Sequence, residues 1–350
     1  MEFSLGRRTV PMERLLRSGE SAAFCLVIAP LAALLPARLA YRIACWRGDL
    51  TARYRAGKRA ELVRNLREVL GDEVSQDKAE QLAREYFRMT SCEVIDVMRL
   101  RGQARSLGKL VDIRGREHLD AALAAGKGAV LCTAHIGSFS CAISLLNATG
   151  YPVTAVGRTW WNYSAGKSSV ERRLWDFVYA RRLQRHRQRP NIEPFPGRLQ
   201  VVMQAAIALR GNEVVTVASD APALDADQSR AVEMPFLGRQ ARLLPGVVGL
   251  AQLSRAPVLM MSMYRRADYA HQVLEISPPV SMEGETTTAF GRCTSAMEAA
   301  VQKSPAEWVY WASTDDLSSL GLLDQPAPLP EGSSRPLSPS RDSTSSSTAP

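Results

Sequence analysis

The chain has 350 residues, 46% of them apolar, and a formal net charge of +9. That apolar fraction is globular, and the length suits one large domain or one domain with an N-terminal extension. The basic excess predicts a negatively charged partner: nucleic acid, an anionic membrane surface or an acidic carrier protein. No nucleic-acid motif and no basic stretch interleaved with stacking aromatics is present, so no specific nucleic-acid partner is expected. The six cysteines, at 25, 45, 92, 132, 141 and 293, contain no Cys-x-x-Cys pair, which argues against a disulfide framework or zinc site and suits a reducing compartment.

Residues 1–19 are basic, with Arg7, Arg8, Arg14 and Arg17. Ser21 to Pro36 is an uncharged, mostly apolar run of sixteen residues broken by Pro30, shorter than the roughly 20 residues of a spanning helix. The run is expected to lie on or dip into a bilayer; a buried core helix is the alternative. From Arg38 to Arg67 nine basic residues face two acids, Asp49 and Glu61. Next to an apolar run, such a stretch suits docking on anionic lipid. Residues 1–70 are therefore read as a helical, membrane-associating extension and 71–316 as the main domain. Ser75 to Leu100 is predicted to be one long helix with Leu82, Tyr86, Phe87, Val94, Val97 and Met98 on its apolar side.

From Leu110 the pattern alternates. Strands are predicted near 110–113, 129–134, 152–156, 213–218, 257–263 and 272–276, and helices near 117–125, 139–148, 168–183, 198–210, 246–254 and 286–303. This order predicts an α/β fold with a mostly parallel central sheet flanked by helices. The region 171–198 holds eight arginines near Trp160, Trp161 and Trp175, and reads either as a solvated basic helix or as a patch facing a membrane or an acidic carrier. After Asp316 the chain turns Ser- and Pro-rich, and 317–350 is read as a disordered tail.

One stretch organises the rest. Ala129-Val-Leu-Cys-Thr-Ala134 is a short apolar run of the kind buried on both faces of a sheet. His135 falls just past its end, where ligands sit in open α/β sheets, and the next helix starts behind Ser138. Of the four histidines, at 118, 135, 186 and 271, His135 alone is placed to move a proton near neutral pH. Asp220 follows Glu213-Val-Val-Thr-Val-Ala-Ser219, so it too is expected at a strand's carboxyl end, with Asp225 and Asp227 after it. Glu117 is expected to cap its own helix. A Gly-x-Ser-x-Gly elbow is absent around Ser138 and Ser140. Cys132 and Cys141 read as buried, inert thiols.

The same stretch, Gly115-Arg-Glu117-His118-Leu119, then Gly126-Lys-Gly128-Ala-Val-Leu-Cys-Thr133, then His135-Ile-Gly137-Ser-Phe-Ser140, resembles a conserved-type block of the bacterial lipid A biosynthesis (lauroyl/myristoyl) acyltransferases, within the lysophospholipid acyltransferase superfamily. Val156-Gly-Arg158, Met234-Pro-Phe236-Leu-Gly238-Arg239, Ala256-Pro257-Val258 and Pro305-Ala-Glu-Trp308-Val-Tyr-Trp311 resemble further blocks of that family in the same order. The family motif is His, four residues, then Asp or Glu; here Ser140 stands at the acidic position.

The resemblance implies acyl transfer from a thioester, acyl carrier protein or acyl-coenzyme A, to a hydroxyl or amine of an amphiphilic lipid acceptor at the cytoplasmic face of the bacterial inner membrane. It implies no cofactor and no metal. His135 would be the base. Asp220 is the candidate carboxylate of the site, and Arg158, Ser140, Gly137 and Arg239 are candidate substrate-binding residues. Without the usual acid, a catalytically impaired relative that binds a lipid or a partner protein stays open as a second reading.

Overall fold

The computed structural model describes residues 2–5, 8–11, 23–100, 105–157, 183, 191–192, 198–223 and 229–323. In chain order these form β1 (Glu2–Leu5), β2 (Arg8–Pro11), α1 (Ala37–Tyr54), α2 (Ala56–Leu70), α3 (Gln76–Arg99), β3 (Val111–Arg114), α4 (Arg116–Ala124), β4 (Ala129–Thr133), α5 (Phe139–Ala148), β5 (Val153–Val156), α6 (Arg198–Arg210), β6 (Val214–Ala218), β7 (Val232–Phe236), β8 (Arg239–Leu243), α7 (Gly246–Ser254), β9 (Val258–Arg265), β10 (Gln272–Val280), α8 (Thr286–Lys303) and α9 (Thr314–Ser319), with short helical turns between some of them.

Six strands make the central sheet in the order β3-β10-β9-β4-β6-β5. All its neighbours run parallel except β9 and β10. The α/β fold with a mostly parallel sheet, expected from the alternating pattern, is the fold observed. β4 lies inside it, and all of its residues are buried. Val130 and Cys132 enter one core while Ala129 and Leu131 enter the other, because successive side chains leave opposite faces of a strand. An uninterrupted apolar run is what a strand covered on both faces requires.

The 232–243 hairpin was not among the expected strands. Its polar positions face outward, so it lacks the apolar run that marks the central strands. The helix expected over 168–183 lies outside the described residues, apart from Leu183.

The N-terminal helices are built onto the domain. Ser75 caps α3 by accepting the Lys78 N–H at 3.2 Å. Leu62, Val63, Leu66 and Val69 of α2 pack into the same core as Trp308 and Trp311. α1 crosses α3 closely at Gly48, where a Cβ would come within 2.5 Å of the Arg88 backbone. Residue 70 is thus no boundary in packing. At the other end Leu317, Leu320 and Leu322 are fully buried, so the packed chain runs past the boundary expected at Asp316; 324–350 lie outside the described residues.

Ahead of α1, Phe24–Ile28 and Ala29–Ala32 form consecutive helical turns. Phe24, Cys25, Ala29 and Ala32 pack against α3 with Tyr41 and Ala44. Leu26, Val27, Ile28, Leu31, Leu34, Leu39 and Trp46 stay exposed. No helix among the described residues is long and apolar enough to cross a membrane.

Candidate active site

Register places the two central groups. β4 and β6 are parallel neighbours with Thr133 opposite Ala218, and the ladder continues through the Ser219 N–H to the Thr133 carbonyl at 3.0 Å. Two residues further along each chain, His135 and Asp220 emerge side by side at the carboxyl edge, the position at which open α/β sheets hold ligands.

Asp220 is fully buried and His135 is 7% exposed. Asp220 Oδ1 lies 2.7 Å from His135 Nδ1. Its Oδ2 accepts the His135 backbone N–H at 2.7 Å and the Trp308 Nε1–H at 2.8 Å. A carboxylate only accepts, so the imidazole proton belongs on Nδ1 and the lone pair on Nε2, as a general base requires. The Tyr310 hydroxyl lies 3.3 Å from Nδ1. Phe139 and Tyr310 meet the imidazole edge-on, with centroids at 4.8 and 5.3 Å.

The 305–311 segment fastens the histidine loop. Gly137 donates to the Glu307 carbonyl and Val309 to the His135 carbonyl, both at 3.1 Å. Gly137 has φ +57, and a Cβ there would stand 2.0 Å from the Met263 carbonyl oxygen. Only glycine fits both the left-handed backbone and that approach.

A second buried carboxylate sits on the other side of the loop. Asp96 of α3 is fully buried and accepts from Tyr41 and Ser138 at 2.5 Å and Gln272 at 3.1 Å. It also pairs with Arg265 at the end of β9. Arg265 donates to Ser138 Oγ at 3.0 Å as well. This cluster ties α1, α3, β9 and β10 to the first residues behind His135. A cavity of about 40 Å³ lies between α3 and the two loops, lined by His135, Gly137, Ser138, Phe139 and Glu307 among others.

The expected site residues divide. His135, Gly137 and Asp220 come together. Ser140 is buried inside α5, where residues 140–147 are all enclosed, and it does not line the cavity; Ser138 does. The Arg239 guanidinium donates to the Glu68 and Val69 carbonyls at the C-terminal end of α2, where cations are favoured. Glu117 is exposed in the first turn of α4, whose N-cap is Gly115 without a side-chain cap. Arg158, Asp225, Asp227 and the three tryptophans at 160, 161 and 175 lie outside the described residues. The Cys132 thiol is pushed well up by neighbouring Cys293 and by burial, as an inert thiol should be.

Asp96, Arg265, Glu307 and Tyr310 were missed. A signal existed for two of them: Asp96 interrupts the apolar run Val94-Ile-Asp-Val-Met98, and Arg265 ends the apolar run of β9. A charge inside an apolar stretch is seldom buried without a partner.

Fold and site together define an α/β protein with a histidine–carboxylate pair at the carboxyl edge of its sheet. The chain matches the family model of bacterial lipid A biosynthesis acyltransferases over residues 13–312, and it belongs to that family. It is 23% identical over 207 residues to a lipid A biosynthesis acyltransferase of Haemophilus influenzae, an alignment covering 59% of each chain. The match therefore spans less than two thirds of that relative's length.

Proposed function

We propose that this protein moves a fatty acyl group from an acyl thioester, carried by acyl carrier protein or coenzyme A, to a hydroxyl or amine of a lipid A-like glycolipid or other amphiphilic acceptor. The observation that carries this reading is the 2.7 Å contact between His135 Nδ1 and Asp220. His135 Nε2 takes the acceptor's proton as its oxygen or nitrogen attacks the thioester carbon. The tetrahedral intermediate then collapses, the C–S bond breaks, and the imidazolium returns the proton to the leaving thiolate. Asp220 fixes the tautomer and stabilises the imidazolium. This carboxylate takes the place of the acid that Ser140 lacks, and so weakens the reading of a catalytically impaired binding protein.

The reaction is placed at the cytoplasmic face of the inner membrane, with the N-terminal turns and α1 lying on the bilayer. Leu39, Arg42, Trp46 and Arg53 are exposed at helical spacing along α1, beside the apolar side chains ahead of it. Apolar residues, an interfacial tryptophan and arginines for anionic headgroups are the composition of a surface-bound helix. Arg158 and the arginines of 171–198 remain candidates for substrate or carrier contacts.

The test is acyl transfer from lauroyl-coenzyme A and lauroyl acyl carrier protein to a lipid extract. His135→Ala is expected to lower kcat by about 10²–10⁴-fold. Unchanged transfer in this variant would remove His135 as base, and no transfer by the wild type from either donor would favour the binding protein.

A further inference from the structure

Glu307 has no part in the chemistry described so far, yet it lines the His135 cavity and is 6% exposed. Its Oε1 accepts the Arg265 backbone N–H and the Ser304 hydroxyl, both at 2.7 Å. Its Oε2 is buried with no hydrogen-bond partner. That oxygen faces Gly137, standing 3.0 Å from where a Cβ would be.

A buried carboxylate oxygen without a donor is costly, and a proton on it removes the charge. Burial raises the Glu307 pKa, against the lowering by the nearby Arg265 charge. The charged groups around it are few. The Arg265 guanidinium is held by Asp96, Asp220 by His135, and Glu93 of α3 lines the same cavity. With Oε1 occupied by two donors, a proton taken up by this carboxyl sits on Oε2. In that protonated form Glu307 is a hydrogen-bond donor that the resting site gives no acceptor.

Acyl transfer creates such an acceptor when the thioester C=O becomes C–O⁻. The Gly137 N–H cannot serve it, being committed to the Glu307 carbonyl. We propose that the Glu307 carboxyl meets the thioester carbonyl oxygen and donates its Oε2–H to the oxyanion of the tetrahedral intermediate. The proton stays on Glu307 throughout, and the acceptor's own proton travels by His135 to the thiolate. A neutral acid in this role gains strength as charge develops opposite it. The inference rests on the acyl-transfer reading above.

Glu307→Gln keeps the shape, the accepting oxygen and a donor, so it should transfer from lauroyl-coenzyme A within a few-fold of wild type. Glu307→Ala removes the donor and should lower kcat by about 10²-fold, with little change in KM. A fall in Glu307→Gln as deep as in Glu307→Ala, or wild-type kcat in folded Glu307→Ala, would overturn the proposal. Infrared spectroscopy gives a readout free of activity and of the alanine variant's folding. A protonated-carboxyl band at neutral pH, present in wild type and missing from Glu307→Gln, is expected, and its absence from wild type would overturn the donor role. Failure of this inference alone is recognisable: wild type and His135→Ala then differ as expected while Glu307→Ala stays active. Lack of transfer by wild type would instead remove the acyl-transfer reading and the donor role with it.

Discussion

Two fully buried aspartates flank the 135–139 loop, and their partners set them apart. Asp96 faces Arg265, whose charge is permanent, with three neutral donors completing its shell. Asp220 faces an imidazole, with the His135 and Trp308 N–H groups completing its own shell. The first arrangement holds position: it pins Ser138 and joins helices to strands, but moves no proton. The second holds the imidazole in one tautomer, as the proposed base role requires. On the acyl-transfer proposal, equal burial of a carboxylate serves structure beside a permanent guanidinium charge and chemistry beside an imidazole.

The comparison breaks first at Asp220. Asp220→Asn should leave the fold intact but turn an amide N–H toward Nδ1, favouring the wrong tautomer. Loss of kcat of about 10⁴-fold is expected, read from transfer rates beside an unchanged circular dichroism spectrum. Asp96→Ala should do the reverse. It leaves the Arg265 charge buried and unpaired, so about 3–5 kcal/mol of stability should go, measured by urea unfolding. Replacing both members, Asp96→Leu with Arg265→Met, should recover most of that loss, since an apolar pair carries no unpaired charge. No apolar pair can replace His135 and Asp220.

Glu307 lies between these clusters and sharpens the contrast, because its carboxyl forms no ion pair among the described residues. Burial raises its pKa more than Arg265 lowers it, so the folded chain holds this proton to higher pH than the unfolded chain. Between the ordinary glutamate value of about 4.3 and the raised one, the folded state binds more protons and stability falls as pH rises. Glu307→Gln lacks this decline. Urea unfolding across that window should show wild type losing ground to the variant as pH increases; parallel curves would contradict it.

The smallest effect is expected at Arg239. Arg239→Ala should cost about 1 kcal/mol through the lost bonds to the end of α2 and leave KM unchanged. A raised KM would return this residue to the substrate.

Much of the architecture was legible in the chain. The continuous apolar run 129–134 read as a strand covered on both faces, and the spacing in 139–148, 198–210, 246–254 and 286–303 gave those helices, because local periodicity follows from which face is buried. His135 and Asp220 were each readable as strand-end residues for the same reason. Legibility failed where side chains distant in sequence meet. Nothing local makes Arg239 a cap on α2, sends Ser140 into the interior, or sets Glu307 beside Gly137. The hairpin at 232–243 lacked a buried apolar run, and Leu317 to Leu322 were lost in a Ser-rich context.

The sequence by itself determined that a histidine and an aspartate would stand at the carboxyl ends of two buried strands, since hydrophobic pattern and strand direction are local properties. Only the tertiary structure decided that these strands are neighbours in the register that sets Asp220 against His135. It alone chose Arg265 as the partner of Asp96 and left a Glu307 oxygen without one. Strand order and side-chain pairing depend on which surfaces pack together across the whole chain, and no window of sequence contains that information.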